Sequence, residues 1–355
     1  MVKKNPHSVV AVAMSGGLDS SVAALLLKEQ GWNVFGITMQ QTDDCIDNAE
    51  RVCRELGIEH HILDLRTDFA QCVIDNFIKE YLAGRTPNPC VLCNKTIKWG
   101  LLLDNALKLG ASHFATGHYA RIVYDGRSKR FHLLKGIDRQ KDQSYALWRL
   151  DQCQLAKTLF PLGALEKVKV REIAGKYNLF ITKPEESQDI CFVENDDYKD
   201  FILQHLSGKQ DSLKPGPIVD QKDNIIGEHK GQAFYTIGQR KGLGVALGKP
   251  QYVTEIISER NVVRIGDKSD LLSAGLVASK SNWIANEHPR EGMRVMCHIR
   301  YNDPGFSAVI SKADNDNVNV LFEELRPAVT PGQSAVFYQD DTVIGGGIIY
   351  KAIKK

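Results

Sequence analysis

From Val9 to Thr116 the chain alternates short β-branched runs with helical patterns, and this alternation limits the fold more than any other feature. Val9–Met14, Asn33–Met39, His61–Leu65 and Ser112–Thr116 read as strands. Asp19–Gln30, Cys45–Leu56, Phe69–Tyr81 and Asn94–Leu109 read as helices, the first two ended by Gly31 and Gly57. Strand–helix alternation at this spacing closes as a parallel sheet covered on both faces. Ligands of such sheets bind beyond the carboxyl ends of the strands. A hairpin-like stretch, Tyr119–Lys135, and helical patterns at Asp151–Thr158 and Glu166–Tyr177 follow as insertions. Near Ser207 the chain turns glycine-rich with short strands. From about Ser273 alternating strands run to Lys351, punctuated by Asn302-Asp303-Pro304-Gly305, Pro331-Gly332 and Gly345-Gly346-Gly347. The expected architecture is an α/β parallel-sheet domain over residues 1–206, a small β-rich central domain over 207–272 and a C-terminal β-barrel over 273–355.

With 355 residues, 43% hydrophobic and 25% charged, the chain suits two or three globular domains and does not read as disordered. Its formal net charge of +2 announces no nucleic-acid binder. The distribution says more. Residues 121–183 hold 14 Lys+Arg against 6 Asp+Glu, and residues 184–200 hold 7 Asp+Glu against Lys199 alone. A basic stretch is usually a solvated face; beside a nucleotide motif it becomes a candidate RNA-facing surface. No apolar run reaches bilayer length, and the N-terminal run is better explained as a buried first strand than as an export signal. Eight cysteines without small-domain spacing point to a reducing cytoplasm rather than a disulfide scaffold.

Met14-Ser15-Gly16-Gly17-Leu18-Asp19-Ser20-Ser21 lies between an expected strand and an expected helix. Paired glycines let backbone approach a phosphate, and the first-turn amides and helix dipole favour its charge. The bland alternative is a Gly-Gly turn capped by Asp19 and Ser20. No Gly-Lys-Ser/Thr closes the loop, so it is not a Walker A motif. It is SGGxDS, which resembles the PP-loop of ATP pyrophosphatases. Asp19 is a candidate ligand for Mg²⁺ on the pyrophosphate. Met39 and Gly117 end two strands where a nucleotide could lie.

Thr86-Pro87-Asn88-Pro89-Cys90-Val91-Leu92-Cys93-Asn94-Lys95 forms a second candidate site. A helix is expected to begin near Cys93 or Asn94, which together with Lys95 would lower the Cys93 pKa. Cys191 lies in an acidic segment expected to be a mobile surface stretch. Cys45, Cys53, Cys72, Cys153 and Cys297 read as small buried hydrophobes. A lone CxxC is ambiguous among redox, zinc and iron–sulfur roles, and structural zinc wants four ligands. Cys90, Cys93 and Cys191 could hold a [4Fe–4S] cluster with one open iron. Alternatively, Cys93 and Cys191 could work as a thiol pair passing through a persulfide and a disulfide. Both stay open at this point.

The strings AMSGGLDSSVA, AGRTPNPCVLCNKTIKWG, ATGHYAR, KDQSYAL, KPEESQDICFV, YTIGQRKGLG and RYNDPG together resemble the tRNA-specific 2-thiouridylases of the MnmA family, in family order and over nearly the whole chain. The resemblance implies a PP-loop catalytic domain, a central β domain and a C-terminal barrel, probing ATP with Ala13, Met14, Ser15, Gly16, Gly17, Leu18, Asp19, Ser20, Met39 and Gly117. It implies Cys93 as nucleophile and Cys191 as the persulfide carrier. It places Asn88, Pro89 and Cys90 against the target base, and His118, Lys141, Asp142, Gln143, Arg300, Tyr301 and Gln333 against tRNA. The best-known members carry an aspartate where this chain has Cys90; cysteine is the softer and stronger iron ligand. The implied reaction is ATP- and Mg²⁺-dependent adenylation of the C2 oxygen of wobble uridine 34, then sulfur transfer. The implied partners are tRNAs for Lys, Glu and Gln and a cysteine desulfurase or sulfur-relay protein, with the enzyme expected in the cytoplasm. The rival readings are another PP-loop amidating or ligating enzyme and a non-catalytic, nucleotide-gated RNA-binding protein.

Overall fold

Val10, Ala11 and Val12, three consecutive residues with no exposed surface, form the middle of strand β1 (Val9–Ala13). A strand apolar on both faces is what a doubly covered parallel sheet requires. The computed structural model describes residues 8–40, 43–177, 179, 190–193, 197–206, 213–245, 248–285, 289–313 and 316–354. β1 pairs in parallel with β2 (Asn33–Gln40) on one side and β4 (His113–Ala115) on the other. β3 (Glu59–Asp64) and β7 (Thr158–Leu159) complete a five-stranded sheet of order β3-β2-β1-β4-β7. The strand order reverses between β1 and β4, so the crevice at their carboxyl ends is a topological switch point, where α/β sheets place ligands.

Helix α1 (Leu18–Glu29) follows β1, and α2 (Asp43–Leu56) follows β2. The helix expected at Phe69–Tyr81 is a composite: α3 (Arg66–Phe69), a π-helical stretch (Ala70–Ile74) and α4 (Asp75–Leu82). The helix expected at Asn94–Leu109 starts earlier, as α5 (Pro89–Cys93), passes through a π-helical stretch (Asn94–Leu102) and ends as α6 (Leu103–Lys108). Hydrophobic spacing at 3.6 residues per turn does not reveal a local shift to i→i+5 hydrogen bonding.

The hairpin β5–β6 (Ala120–Asp125 and Arg130–Lys135) is formed as expected, but it does not stay with the first sheet. β6 pairs with the last strand of the barrel at Leu134 and Thr342, and the Lys135 amide donates to the Asp341 carbonyl at 2.9 Å. After α7 (Gln152–Ala156), α8 (Lys167–Lys176) and α9 (Tyr198–His205), the central sheet has order β10-β11-β8-β9, from Tyr252–Ile257, Val262–Gly266, Gly216–Val219 and Ile225–His229. The C-terminal strands β12 (Leu272–Trp283), β13 (Met293–His298), β14 (Phe306–Ala313), β15 (Val318–Pro327), β16 (Ser334–Gln339) and β17 (Thr342–Ile353) close into a six-stranded barrel through β12–β17 pairing. Closure pairs the two outer strands of the barrel with each other, and the β6–β5 hairpin extends the same sheet from β17.

Of the cysteines expected to be buried, Cys53 and Cys297 are, whereas Cys72 and Cys153 are exposed. Both exposed ones sit on the solvent side of amphipathic elements. The Cys45 side chain and most of the acidic segment around Cys191 lie outside the described residues.

Candidate active site

The SGGxDS loop leaves the carboxyl end of β1 and enters α1 at the switch point. Its shape is held from within. The Ser20 hydroxyl accepts from the Ser15 amide at 3.2 Å and donates to the Gly17 carbonyl at 3.1 Å, and the Ser21 hydroxyl donates to the same carbonyl at 2.8 Å. Gly16 has φ +70°, and a side chain there would collide with Asn48 and Ala49 of α2. Below the loop the Met14 carbonyl accepts from Thr38 at 2.9 Å, and Met39 lies half-buried against the core. Gly117, after β4, packs on the start of α1: a Cβ there would stand 2.8 Å from the Asp19 backbone. Its lack of a side chain thus serves the joining of two loops at the switch point.

Asp19, a candidate Mg²⁺ ligand from sequence, is engaged by the protein itself. Lys167 Nζ donates to both carboxylate oxygens at 2.7 Å, and the Tyr119 hydroxyl donates to Oδ1 at 2.8 Å. Lys167, the first residue of α8, is mostly enclosed and lies 5.5 Å from the Tyr119 ring centroid. Tyr119 lies within the ATGHYAR string and Lys167 in no motif, and nothing in the sequence pairs either with Asp19.

The cysteine-bearing segment is pinned at both ends. Arg85 donates to both oxygens of Glu80, at 2.6 and 2.8 Å, which holds the Glu80 carboxyl below its ordinary range. The Thr86 amide donates to the Pro331 carbonyl at 2.9 Å, and Gln333 Nε2 donates to the Thr86 and Pro87 carbonyls at 3.1 and 2.9 Å. The barrel therefore grips the approach to α5. Asn88 is the N-cap, accepting from the Val91 amide at 3.4 Å, and Pro89 takes the first helical position.

This registration corrects the expectation for Cys93. The exposed Cys90, not Cys93, occupies the first helical turn; Cys93 is the last residue of α5 and is 9% exposed. Burial pushes its thiol up to about 11, a rise that Lys98 opposes and that Cys191 and Cys90 reinforce. Desolvation outweighs the dipole because the thiol sits a full turn from the helix start. Lys95, expected beside the thiol, instead reaches Asp151 and Gln154, both at 3.2 Å.

Cys90 and Cys191 both act electrostatically on the Cys93 thiol. Cys191 is exposed, and the residues after it are anchored: the Phe192 ring meets Phe69, Phe77 and Phe201 at centroid distances of 5.7, 5.3 and 5.2 Å, and Val193 is buried. The cysteines stand as thiols rather than as a disulfide, so the disulfide expected from sequence is not formed here. Among the described residues no three His, Cys, Asp or Glu side chains stand in an arrangement that could hold a metal ion.

His118 joins the two halves. Its Nδ1 lies 2.7 Å from the Thr116 hydroxyl, and its ring packs against Trp99 and Phe160 at 5.4 and 6.0 Å. Burial, with a smaller contribution from Lys98, holds its pKa well below 6.5, so it is neutral near pH 7. Trp99 donates to Thr158 at 2.7 Å.

The remaining expected tRNA contacts divide. Asp142 accepts from the Gly136 and Ser144 amides at 2.8 and 3.1 Å, and Gln143 accepts from the Tyr119 amide at 3.0 Å. Both side chains brace the fold. Lys141 is half-buried beside them. Arg300 donates to the Ala328 carbonyl at 2.9 Å. Tyr301 is 46% exposed, lies 6.2 Å from the Tyr145 ring, and is close enough to Cys90 for the two to interact electrostatically. Of the barrel residues singled out, Gln333 is bonded to the backbone that leads into the cysteine-bearing helix.

Sequence profiles match the tRNA methyl transferase HUP domain over residues 8–195, the tRNA methyl transferase PRC-barrel domain over 199–267 and the aminomethyltransferase β-barrel domain over 273–349. A protein of Natranaerobius thermophilus named tRNA-specific 2-thiouridylase MnmA is 47% identical, the match covering 98% of each chain. The chain belongs to the MnmA family. The MnmA of Carboxydothermus hydrogenoformans is 46% identical, covering 97% of this chain and 98% of its own, and that of Moorella thermoacetica is 47% identical over 95% and 98%. MnmA membership thus extends through all three domains and not the nucleotide-binding part alone. No helix among the described residues is long and apolar enough to cross a membrane.

Proposed function

We propose that this chain is an ATP-dependent tRNA 2-thiouridylase acting on wobble uridine 34, with sulfur carried by Cys191 and resolved by Cys93. One observation supports the reading: the exposed Cys191 acts electrostatically on the enclosed Cys93, while His118, packed on Trp99, directly follows the Gly117 that sits on the SGGxDS loop.

ATP suits the SGGxDS loop, which leads into the N-terminus of α1 at the switch point with Ser15 exposed and Gly17 half-buried. Magnesium is a customary companion of ATP in such loops. Asp19, with both oxygens on Lys167, does not fit a direct ligand for it, and no step is drawn through it. No step of the scheme runs through an iron–sulfur cluster.

The wobble base leaves its stack to reach the site. Its C2 oxygen attacks the α-phosphorus of ATP, a P–O bond breaks and pyrophosphate departs. The loop amides stabilise the charge that develops. The terminal sulfur of a Cys191 persulfide then attacks C2, and AMP leaves with the former carbonyl oxygen. Cys93 thiolate attacks Cys191 Sγ, a Cys93–Cys191 disulfide forms, and the departing electron pair leaves sulfur on C2. A cellular thiol reductant resets the pair. Exposure suits Cys191 to loading by a cysteine desulfurase or relay protein; enclosure keeps Cys93 from competing thiols. We assign the tRNAs for Lys, Glu and Gln as substrates and the cytoplasm as the site of action.

The test is incorporation of sulfur into tRNA transcripts with ATP and a persulfide donor. Cys93→Ser and Cys191→Ser should each abolish 2-thiouridine while leaving tRNA-dependent pyrophosphate release in place. Normal thiolation by either variant refutes its role; pyrophosphate release independent of tRNA favours an amidating or ligating PP-loop enzyme.

A further inference from the structure

The peptide that opens the SGGxDS loop, Met14–Ser15, is held on both of its edges. On the strand side the Met14 amide donates to the Ile37 carbonyl at 2.9 Å, and the Met14 carbonyl accepts from the Thr38 hydroxyl, also at 2.9 Å. β1 ends at Ala13, so the Thr38 side chain carries the pairing with β2 one residue further. On the loop side the Ser15 amide donates to Ser20 Oγ at 3.2 Å. In a trans peptide the C=O and N–H point in opposite directions. Fixing the Met14 carbonyl on Thr38 therefore fixes the direction of the Ser15 amide, and with it the way the loop leaves the strand.

Thr38 is itself oriented. It is 2% exposed, and its Oγ1 lies 2.7 Å from Nε2 of His60 on β3. A hydroxyl has one proton, and a carbonyl can only accept. The Thr38 proton serves Met14, so the short contact with His60 is attractive only when Nε2 carries a hydrogen and donates to Thr38. The network thus assigns the tautomer. His60 N–H, Thr38 O–H and Met14 C=O form a chain of one direction, in which each bond strengthens the next. The sheet register explains the reach of His60. Gly36 stands opposite His60 in the β2–β3 pairing, and Thr38 lies two residues on, on the same face of β2. A Cβ at Gly36 would stand 3.3 Å from His60 Cδ2 and 3.0 Å from Met14 Cγ. Glycine leaves the room in which the imidazole crosses to Thr38.

We propose that His60 is a positioning residue for ATP: by donating to Thr38 it fixes the Met14–Ser15 peptide and so the phosphate-receiving shape of the SGGxDS loop. This deepens the ATP-dependent reading given above and rests on it. His60 lies in none of the strings that carry the family resemblance, and it acts on the nucleotide only through Thr38. A loop free to turn at Met14–Ser15 would present its amides to phosphate in only part of its population, and the apparent affinity falls by that fraction. The sulfur chemistry is spared, because the barrel holds the approach to the cysteine-bearing helix through Gln333.

The test is calorimetric titration of the full chain with ATP and, separately, with inorganic pyrophosphate. Thr38→Val keeps the side-chain shape and removes the hydroxyl; His60→Phe keeps a ring and removes the donor. Each should weaken ATP and pyrophosphate by the same factor, about five- to tenfold, which is what one neutral hydrogen bond is worth. His60→Gln, whose amide can donate from the position of Nε2, should recover most of the affinity. Because His60 acts through Thr38, the double variant should bind no worse than Thr38→Val alone. In thiolation assays the KM for ATP should rise while kcat stays within about twofold. Unchanged ATP affinity in His60→Phe overturns the proposal, as do additive losses in the double variant or a His60→Gln as weak as His60→Phe. A loss for ATP that pyrophosphate does not share also overturns it, since the effect would then lie at the base and not at the loop. His60 is half-buried, so its two variants carry the comparison should Thr38→Val lose cooperative melting. Absence of tRNA thiolation in the parent would strike the reading of the chemistry instead, and the affinities, measured without tRNA, keep the two failures apart.

Discussion

Lys167 donates two hydrogen bonds of 2.7 Å to the Asp19 carboxylate beside a loop suited to phosphate. A largely enclosed ammonium with two short bonds to one carboxylate is a stronger pair than a surface ion pair, because less water screens it. Removing either partner leaves the other poorly solvated. Asp19→Asn and Lys167→Met should each lower unfolding free energy by about 2 kcal/mol. The double variant should lose markedly less than the sum, because the two residues act as one unit. Chemical denaturation of the four proteins measures this. The same variants should lose tRNA-dependent pyrophosphate release, since Lys167 lies against the loop that binds the leaving group. Additive losses of stability, or unchanged pyrophosphate release, would mean the pair is ordinary surface electrostatics.

At the scale of elements, the barrel's Pro331–Gln333 turn sets the position of the cysteine-bearing helix. Gly332 has φ +92°, and a Cβ there would lie 2.7 Å from the Thr86 carbonyl oxygen. Gly332→Ala should therefore strain its own backbone and push the Thr86–Pro89 approach away, with a stability loss of about 1–2 kcal/mol. Thiolation kcat should fall at least tenfold with ATP affinity retained, because the nucleotide loop is held by other contacts. Gln333→Ala, which removes two hydrogen bonds without strain, should give a smaller fall in the same direction. Equal ATP and kcat losses would place the damage in the whole fold instead. The elements themselves were largely legible: strands rich in Val, Ile and Ala and helices closed by Gly31 and Gly57 follow local rules. The π-helical register after Cys93 was not, since it depends on tertiary packing of Trp99 and Ile97 rather than on spacing. Lys95, the lysine expected beside the thiol, turns instead to Asp151. The grip of Gln333 on Thr86 was equally out of reach, because it joins positions 247 residues apart.

The whole molecule carries a second consequence of burying polar groups at its seams. His60, His113, His118, His229 and His298 all have pKa values lowered by burial, and they lie in the parallel sheet, the switch point, the central sheet and the barrel. Each is neutral in the folded chain at a pH where its unfolded counterpart begins to bind a proton. As pH falls below about 6.5 the unfolded state takes up more protons than the folded one, so stability drops with acidification. Asp142, whose carboxyl is raised by burial, works the other way, but only in the carboxylate range and as a single group. Melting temperature should therefore be level near pH 7.5 and fall continuously from about pH 6.5 to 5.5, before most carboxylates titrate. Each histidine contributes up to about 1.4 kcal/mol per pH unit while its two states differ fully in protonation. His118→Gln, which keeps a polar group beside Thr116 but cannot titrate, should flatten the slope by one histidine's share. A melting temperature that holds from pH 7.5 to 5.5 would show that these imidazoles are solvated in the folded protein, His118 against Trp99 and Phe160 among them.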